Sequence, residues 1–478
     1  MASRTLPLAL TPRFAGATPT SIGLSTAALG VAALLAGVLV IDTKVGVALL
    51  LALCFVPLAL LRLRVAVCAW IVLLFFSRTS ALEAIPNKLL LFILASWLAL
   101  LVGRRAEARE ALGRNRVVIL WALAFILWTV LTLAWAPVPS AAERPIKELV
   151  YAGLGLLLVL GIVLERKHVR WLMMAFVGGA ALSVMWGAAK GGLSPSGGGG
   201  EVANLDGRFQ GGSGDPNYLA AVLVPAIMLA GGLAIWRSAG RRALLALATA
   251  VIAVGVAATQ SRGGLIAAFV CAGVALVIWR GRRGTILALI GLAALATAVF
   301  FAANPAAWHR ISAGNSSGSG RIDIWTVAWR VVRDHPFTGV GIAQFPEVSP
   351  HYVLQPGALE YVNLIVEKHI VVHNLYLQLW VETGIVGLLL FVGLIVASLT
   401  AALRAARRFD VQGDGEMSAL ARAAALALIA MLTASFFLSN LEAGQLWVLL
   451  GLGPVLAALA ERQARAQSPA GVTAGVVV

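Results

Sequence analysis

The sequence predicts an all-α polytopic membrane protein with twelve, and up to fourteen, transmembrane helices and a large extracytoplasmic loop containing amphipathic helices. Three observations carry that expectation. Of 478 residues, 60% are hydrophobic and only 12% are charged, whereas about a quarter are charged in soluble domains. Apolar runs of about 15 to 21 residues recur along almost the whole chain, close to the ~20 that span a bilayer as a helix. The charged residues collect between the runs. A soluble globular enzyme is excluded, and so is disorder, because there is ample apolar surface to offset ordering entropy.

Bounded by charge, the runs are 21–41, 45–61, 65–77, 88–103, 117–136, 149–164, 171–188, 218–236, 243–258, 263–279, 285–302, 384–403, 419–438 and 446–460. The run 65–77 is short and 45–61 contains Pro57, so the count lies between twelve and fourteen. An even count puts both termini on one side. The net charge of +16 would suggest nucleic acid in a soluble chain. Here it sorts by side of the membrane. Arg4, Arg13, Arg62/Arg64, Arg104 to Arg116, Arg166/Lys167/Arg170, Arg237/Arg241/Arg242, Arg280/Arg282/Arg283, Arg404 to Arg422 and Arg462/Arg465 share one side. They make up 24 of the 37 basic residues, with 7 of the 21 acidic ones, leaving 13 and 14 on the other. The positive-inside rule places both termini in the cytoplasm. The first run is long for a signal peptide and reads as a retained helix. Cys54, Cys68 and Cys271 all fall within spans, which suggests neither disulfides nor a metal cluster.

This layout divides the chain into an N-terminal transmembrane bundle (1–302) with a Gly-rich loop at 189–217, a loop of 303–383, and C-terminal helices with a cytoplasmic tail (384–478). The loop 303–383 holds five of the six histidines, and loops beyond about 15 residues are usually functional or disordered. After Gly314 to Gly320, the residues Ile322, Trp325, Trp329 and Val332 repeat at helical spacing, ending at His335-Pro336. They predict an amphipathic helix along the membrane surface, tryptophans toward lipid or the bundle. A second helix is expected from near Val371. In it Asn374, Gln378 and Glu382 share a face, with His373 beside it.

Three extracytoplasmic arginines stand next to glycine. Arg262 occupies the short turn Thr259-Gln260-Ser261-Arg262-Gly263-Gly264. A cation at bilayer depth costs about 2.5–3.5 kcal/mol or more unless paired or hydrated. It either snorkels to headgroups or binds an anion beside the glycine amides. Arg208 lies in the Gly-rich loop before Asp215-Pro216-Asn217, a helix-start signal. Arg321 opens the amphipathic helix, where a cation is disfavoured unless an anionic ligand is also present. Ordinary solvated arginines are the alternative for both. Together the three suit a multiply charged anion, which guanidinium binds bidentately. His373 is the best general-base candidate, since histidine titrates near neutrality; a structural histidine at a helix start is the alternative. His309, His335, His351 and His369 show no metal-ligand spacing. No Walker A motif or nucleophile elbow occurs. The pair Gly339-Val340-Gly341 reads as a turn.

His373-Asn374, nine residues, Gly384, two residues and Gly387 resemble the signature of the bacterial O-antigen ligase and polymerase superfamily. Arg208-Phe209-Gln210-Gly211 with Pro216-Asn217, Ser261-Arg262-Gly263, Gly320-Arg321 followed by Trp325, and Pro336 to Gly341 match in order. The resemblance covers about 208–400 at motif level. It implies a glycosyltransferase of the Gram-negative inner membrane with its active site in the periplasm, acting in lipopolysaccharide biosynthesis. The donor would be a glycan on undecaprenyl diphosphate, held by Arg262 and Arg321 with Arg208 assisting. His373, supported by Asn374 and Gln378, would activate a hydroxyl of the lipid A–core acceptor, with inversion. No cofactor, metal or nucleic acid is implied; membrane lipids are the other partners.

Within the family, the alternatives to the ligase are an O-antigen polymerase and a protein O-oligosaccharyltransferase. The single long loop ending in His-Asn favours the ligase, and the short tail after the last run disfavours the oligosaccharyltransferase. From another class, an anionic-lipid transporter or flippase would need ionisable groups at mid-span or an internal repeat. The sequence shows neither.

Overall fold

The computed structural model describes residues 58–77, 85–103, 110, 112–163, 165–193, 207–235, 238–312, 320–357, 359–360, 362–368 and 370–467, with Leu53 and Phe55. The chain forms two compact units, 1–57 and 58–478. The first is described only at Leu53 and Phe55, which are helical; everything below concerns the second. The expected span 21–41 and nearly all of 45–61 lie outside the described residues, as do Arg4, Arg13, Cys54, Gly197 to Gly200, Gly314 to Ser319 and His369.

The second unit is helical, and the described residues include no β-strand. The first helices are α1 (Leu63–Leu74), α2 (Ile85–Gly103), α3 (Arg116–Leu131), α4 (Glu143–Ile162) and α5 (Arg166–Ala189). Then come α6 (Pro216–Ala234), α7 (Ala239–Ala258), α8 (Arg262–Ile278) and α9 (Arg283–Ala303). Four shorter helices follow: α10 (Pro305–Ser312), α11 (Arg321–Asp334), α12 (Phe345–Val353) and α13 (Val362–Val366). Last are α14 (Leu375–Val411), α15 (Gly415–Ala434) and α16 (Gly444–Gln467). Among the described residues nine helical segments are long and apolar enough to cross a membrane, and α1, α2 and α8 are shorter apolar helices. Each apolar run from 65–77 onward coincides with one of these twelve. In hydrocarbon every backbone N–H and C=O must be satisfied within the chain, which leaves an apolar run little choice but helix.

Burial sorts the helices. In α6, 83% of the apolar span is buried, against 11% in α9, so α6 is central and α9 peripheral. α6 packs on α5, α7, α8 and α15; α14 packs on α3, α15 and α16; α16 also packs on α4. At one end, ion pairs join the helix termini: Arg166 to Asp414, Arg170 to Glu416, Arg422 to Asp410, Arg408 to Glu461 and Arg462 to Glu110. These are the arginine-rich connections that sequence assigns to the cytoplasm.

At the opposite end, α11 to α13 and the start of α14 enclose a small core of Ile324, Val327, Val331, Val340, Phe345, Ile365, Val372 and Val381. The amphipathic helix ends at His335 as expected. Its buried face differs, however. Ile324, Val327, Ala328 and Val331 point inward with Val332 of the expected stripe, whereas Ile322 and Trp329 are exposed and Trp325 is half-buried. Arg330 is buried within this core and caps α12, its Nη1 donating to Tyr352 O (2.7 Å) and its Nη2 to Pro356 O (3.1 Å).

Candidate functional site

The segment before α6 is packed. Phe209 is buried, and its N–H donates to Ala258 O at the end of α7 (3.2 Å). Arg208 Nε donates to Thr259 O (3.0 Å) and Nη2 to Asn217 Oδ1 (2.8 Å). This guanidinium therefore ties the last turn of α7 to the first turn of α6. Asp215 is the N-cap of α6, its carboxylate accepting from Tyr218 N (2.7 Å), and Pro216 follows at the first helical position. An N-cap carboxylate and a proline lacking the N–H suit that end.

Arg262 is the first residue of α8. Ser261 caps the helix, its Oγ accepting from Gly264 N (3.2 Å). A Cβ on Gly264 would lie 2.6 Å from Ala220 Cβ, so glycine is what lets α8 start against α6. The Arg262 side chain is exposed, and its Nη2 donates to Arg310 O at the end of α10 (3.3 Å).

Arg321 opens α11 after left-handed Gly320. Farther along α11, Trp325 Nε1 donates to Val372 O (3.0 Å), which fixes the chain immediately before His373.

The expected helix from Val371 begins instead at Leu375. Asn374 is its N-cap, with Oδ1 accepting from Tyr376 N (3.0 Å) and Leu377 N (3.1 Å). That cap needs extended backbone at Asn374, and His373 before it is left-handed, with φ 53°. Its N–H donates to Ser439 Oγ (3.1 Å). A non-glycine residue in this region is uncommon and stores strain that its surroundings must sustain. The bonds at Val372, His373 and Asn374 do so.

α14 extends through the expected 384–403 span but kinks at Gly384, where φ is 68° and ψ −178°. The Pro336–Gly341 strip lies against the kink. Val340 N donates to Val381 O (2.9 Å), Gly341 N to Glu382 O (2.9 Å) and Ile385 N to Pro336 O (2.9 Å). A Cβ on Gly339 would lie 2.5 Å from the Glu382 carbonyl carbon. The expected turn is present, and both of its glycines have positive φ. Gln378 Nε2 faces the buried Glu382 carboxylate at 3.4 Å.

The site residues meet through electrostatics. Burial and the Arg321 charge lower the His373 pKa, opposed by the Asp215 carboxylate. Burial also lowers the Arg321 pKa, which Asp215 opposes and Arg262 reinforces. Four groups from the starts of α6, α8, α11 and α14 thus share one field. Arg208 adjoins them through Asn217 and the α7–α8 turn. Helix N-termini carry positive partial charge, so the dipoles add to the arginines. A field of that sign suits an anion beside the imidazole. Sequence reading took Asp215 only as a helix start and missed Ser439; neither carries a local signal of its partner. Among the described residues no cluster of three or more His, Cys, Asp or Glu is placed to hold a metal ion.

Helices long and apolar enough to span a bilayer, with a cationic, histidine-bearing cluster where several begin, are those of a polytopic membrane protein. Residues 244–392 match the family described as O-Antigen ligase, which supports a place for this chain in the O-antigen ligase superfamily. The match runs from α7 into α14 and includes Arg262, Arg321 and His373, but not Arg208 or Asp215. None of the curated proteins matches the chain.

Proposed function

We propose that the protein transfers a glycan from undecaprenyl diphosphate to a hydroxyl of a lipid A–core acceptor, with inversion, on the periplasmic face of a Gram-negative inner membrane. The full chain would then have twelve to fourteen spans and both termini in the cytoplasm. The observation that carries this reading is the strained His373, held through Val372, Ser439 and Asn374, in the field of Arg321 and Asp215.

In the reaction, the acceptor oxygen bonds to the anomeric carbon as the bond from that carbon to the diphosphate oxygen breaks. The hydroxyl proton passes to His373, and the electron pair leaves with the diphosphate. Arg262 and Arg321, assisted by Arg208, stabilise the charge that grows on the leaving group. Donors set in place before the reaction need little reorganisation, which is where electrostatic catalysis gains most. A lowered pKa keeps His373 neutral, hence able to accept a proton, at pH 7.

The test is incubation of the purified protein with undecaprenyl-diphosphate glycan and either lipid A–core or a second donor. Glycan on lipid A–core supports ligation; lengthened lipid-linked glycan would make the protein a polymerase. His373→Ala should lower transfer by at least about 10²-fold with membrane insertion intact. Near wild-type transfer by that variant would remove the base assignment.

A further inference from the structure

Three features near His373 are not used by the chemistry above. The connection between α15 and α16 runs beside the first turns of α14. Ser439 Oγ receives the His373 N–H, and Glu442 lies in the electrostatic field of Glu382. Between them Asn440 is 1% exposed, and both its amide atoms lack a hydrogen-bond partner among the described residues. Gln378 Oε1, on α14 between His373 and Glu382, is also buried without a partner among the described residues. Orphaned buried amides are rare and costly in native proteins.

Glu442 also lines a cavity of about 70 Å³, with Trp70, Tyr218 and Gln445. That is room for about five water-sized groups. Trp70 Nε1 is another buried donor without an acceptor among the described residues. The cavity shares Asn87, Arg144, Glu148 and Tyr151 with an outer groove of about 480 Å³ that adds Lys88 and Lys147. The groove mixes cations, carboxylates, an amide and an aromatic ring. That lining offers donors and acceptors to hydroxyls and an apolar face to a sugar ring, without selecting one sign of charge.

We propose that the Ser439–Glu442 connection and the facing side of α14 form the subsite for the acceptor sugar, entered by the groove between α2 and α4. This rests on the glycosyl-transfer reading of the same site. The order along the connection supports the acceptor over the donor. Phe437 packs against Gly263, next to Arg262; Ser439 meets His373, and Glu442 reaches the cavity. The chain therefore leads from the diphosphate-binding side, past the base, to the groove. An attacking hydroxyl must come from the side opposite the leaving group. A polyhydroxylated ring there would offer partners to both amide atoms of Asn440 and to Gln378 Oε1, which find none among the described residues.

The test is Asn440→Leu in the full-length protein. Loss of an amide that bonds only to the sugar should raise the acceptor KM by about tenfold. The donor KM should be unchanged, and the melting temperature equal or higher, since an orphaned buried amide is replaced by an apolar group. Saturation-transfer NMR with a soluble, lipid-free hexose oligosaccharide should show binding to the wild type and loss in the variant. Glu442→Gln is the second variant and should change acceptor KM in the same direction. An unchanged acceptor KM with retained saturation transfer would overturn the inference, as would a change confined to donor KM. If the wild type binds the oligosaccharide through Asn440 but transfers nothing, the subsite stands and the transferase reading falls. If it neither binds nor transfers, both fall.

Discussion

Arg321, at the start of α11, and His373, just before the cap of α14, lie at the same end of the molecule, where burial and the Arg321 guanidinium together hold the imidazole below the ordinary histidine range. The carboxylate of Asp215, from a third element, acts in the opposite sense on both groups. Catalytic pKa values set by a local charge arrangement predict how the pH profile responds when that arrangement changes.

For a base that must be neutral, the acid limb of kcat/KM follows the free-enzyme pKa. Its inflection should lie below the ordinary histidine value of about 6.5. Arg321→Gln removes a charge that disfavours imidazolium, so the inflection should move up. Asp215→Asn removes one that favours it, so the inflection should move down, while asparagine still caps α6. Bound diphosphate adds negative charge beside His373, so the inflection in kcat should exceed that in kcat/KM. Rate profiles over pH 4 to 9 would check all four; identical inflections in wild type and Arg321→Gln would disprove the coupling.

The three arginines should not respond alike. Arg208 is committed to Thr259 O and Asn217 Oδ1, so Arg208→Lys should lower thermal stability even though charge is kept. Arg262 is exposed, and its bond to Arg310 O is long, at 3.3 Å, and open to solvent. Arg262→Ala should therefore leave the melting temperature nearly unchanged and raise donor KM by about tenfold or more. Donor titrations paired with melting curves separate the two behaviours. Normal donor kinetics in both Arg262→Ala and Arg321→Ala would remove the diphosphate site.

Gly384→Ala should be severe. Its backbone conformation is open essentially to glycine alone, and a Cβ would run into the Phe337 carbonyl. Separation of the Pro336–Gly341 strip from α14 should cost about 3 kcal/mol or more and abolish transfer. Gly178→Ala is the control: it lies in α5 with nothing within 4 Å of an added Cβ. Its stability should stay within about 1 kcal/mol of wild type. Equal melting temperatures for the two variants would show that the strip does not depend on the kink.

Much of the bundle was legible in sequence because lipid restricts backbone choice. The runs 218–236 and 243–258, for example, became α6 and α7 with shifts of a few residues at their ends. Caps with local chemistry were legible too: Asp215-Pro216 starts α6 and Ser261 starts α8. The buried face of α11 was not. In a helix with apolar residues on two adjacent faces, the covering segment decides which turns inward, and here Phe345, Ile365 and Val372 cover Ile324 and Val327. The start of α14 was not legible either, since Asn374 as N-cap displaces the boundary by four residues and leaves His373 outside the helix.

Sequence was sufficient for the helical class, for the division of charge between the two ends and for singling out the segments that carry Arg208, Arg262, Arg321 and His373. Each follows from interactions within a short stretch of chain or with the bilayer. Tertiary structure alone brought Asp215 into the field of His373, set Ser439 behind its amide and brought Glu442 into the field of Glu382. Those relationships join residues tens to more than a hundred positions apart. They arise from how α6, α14, α15 and α16 pack, which no local pattern encodes.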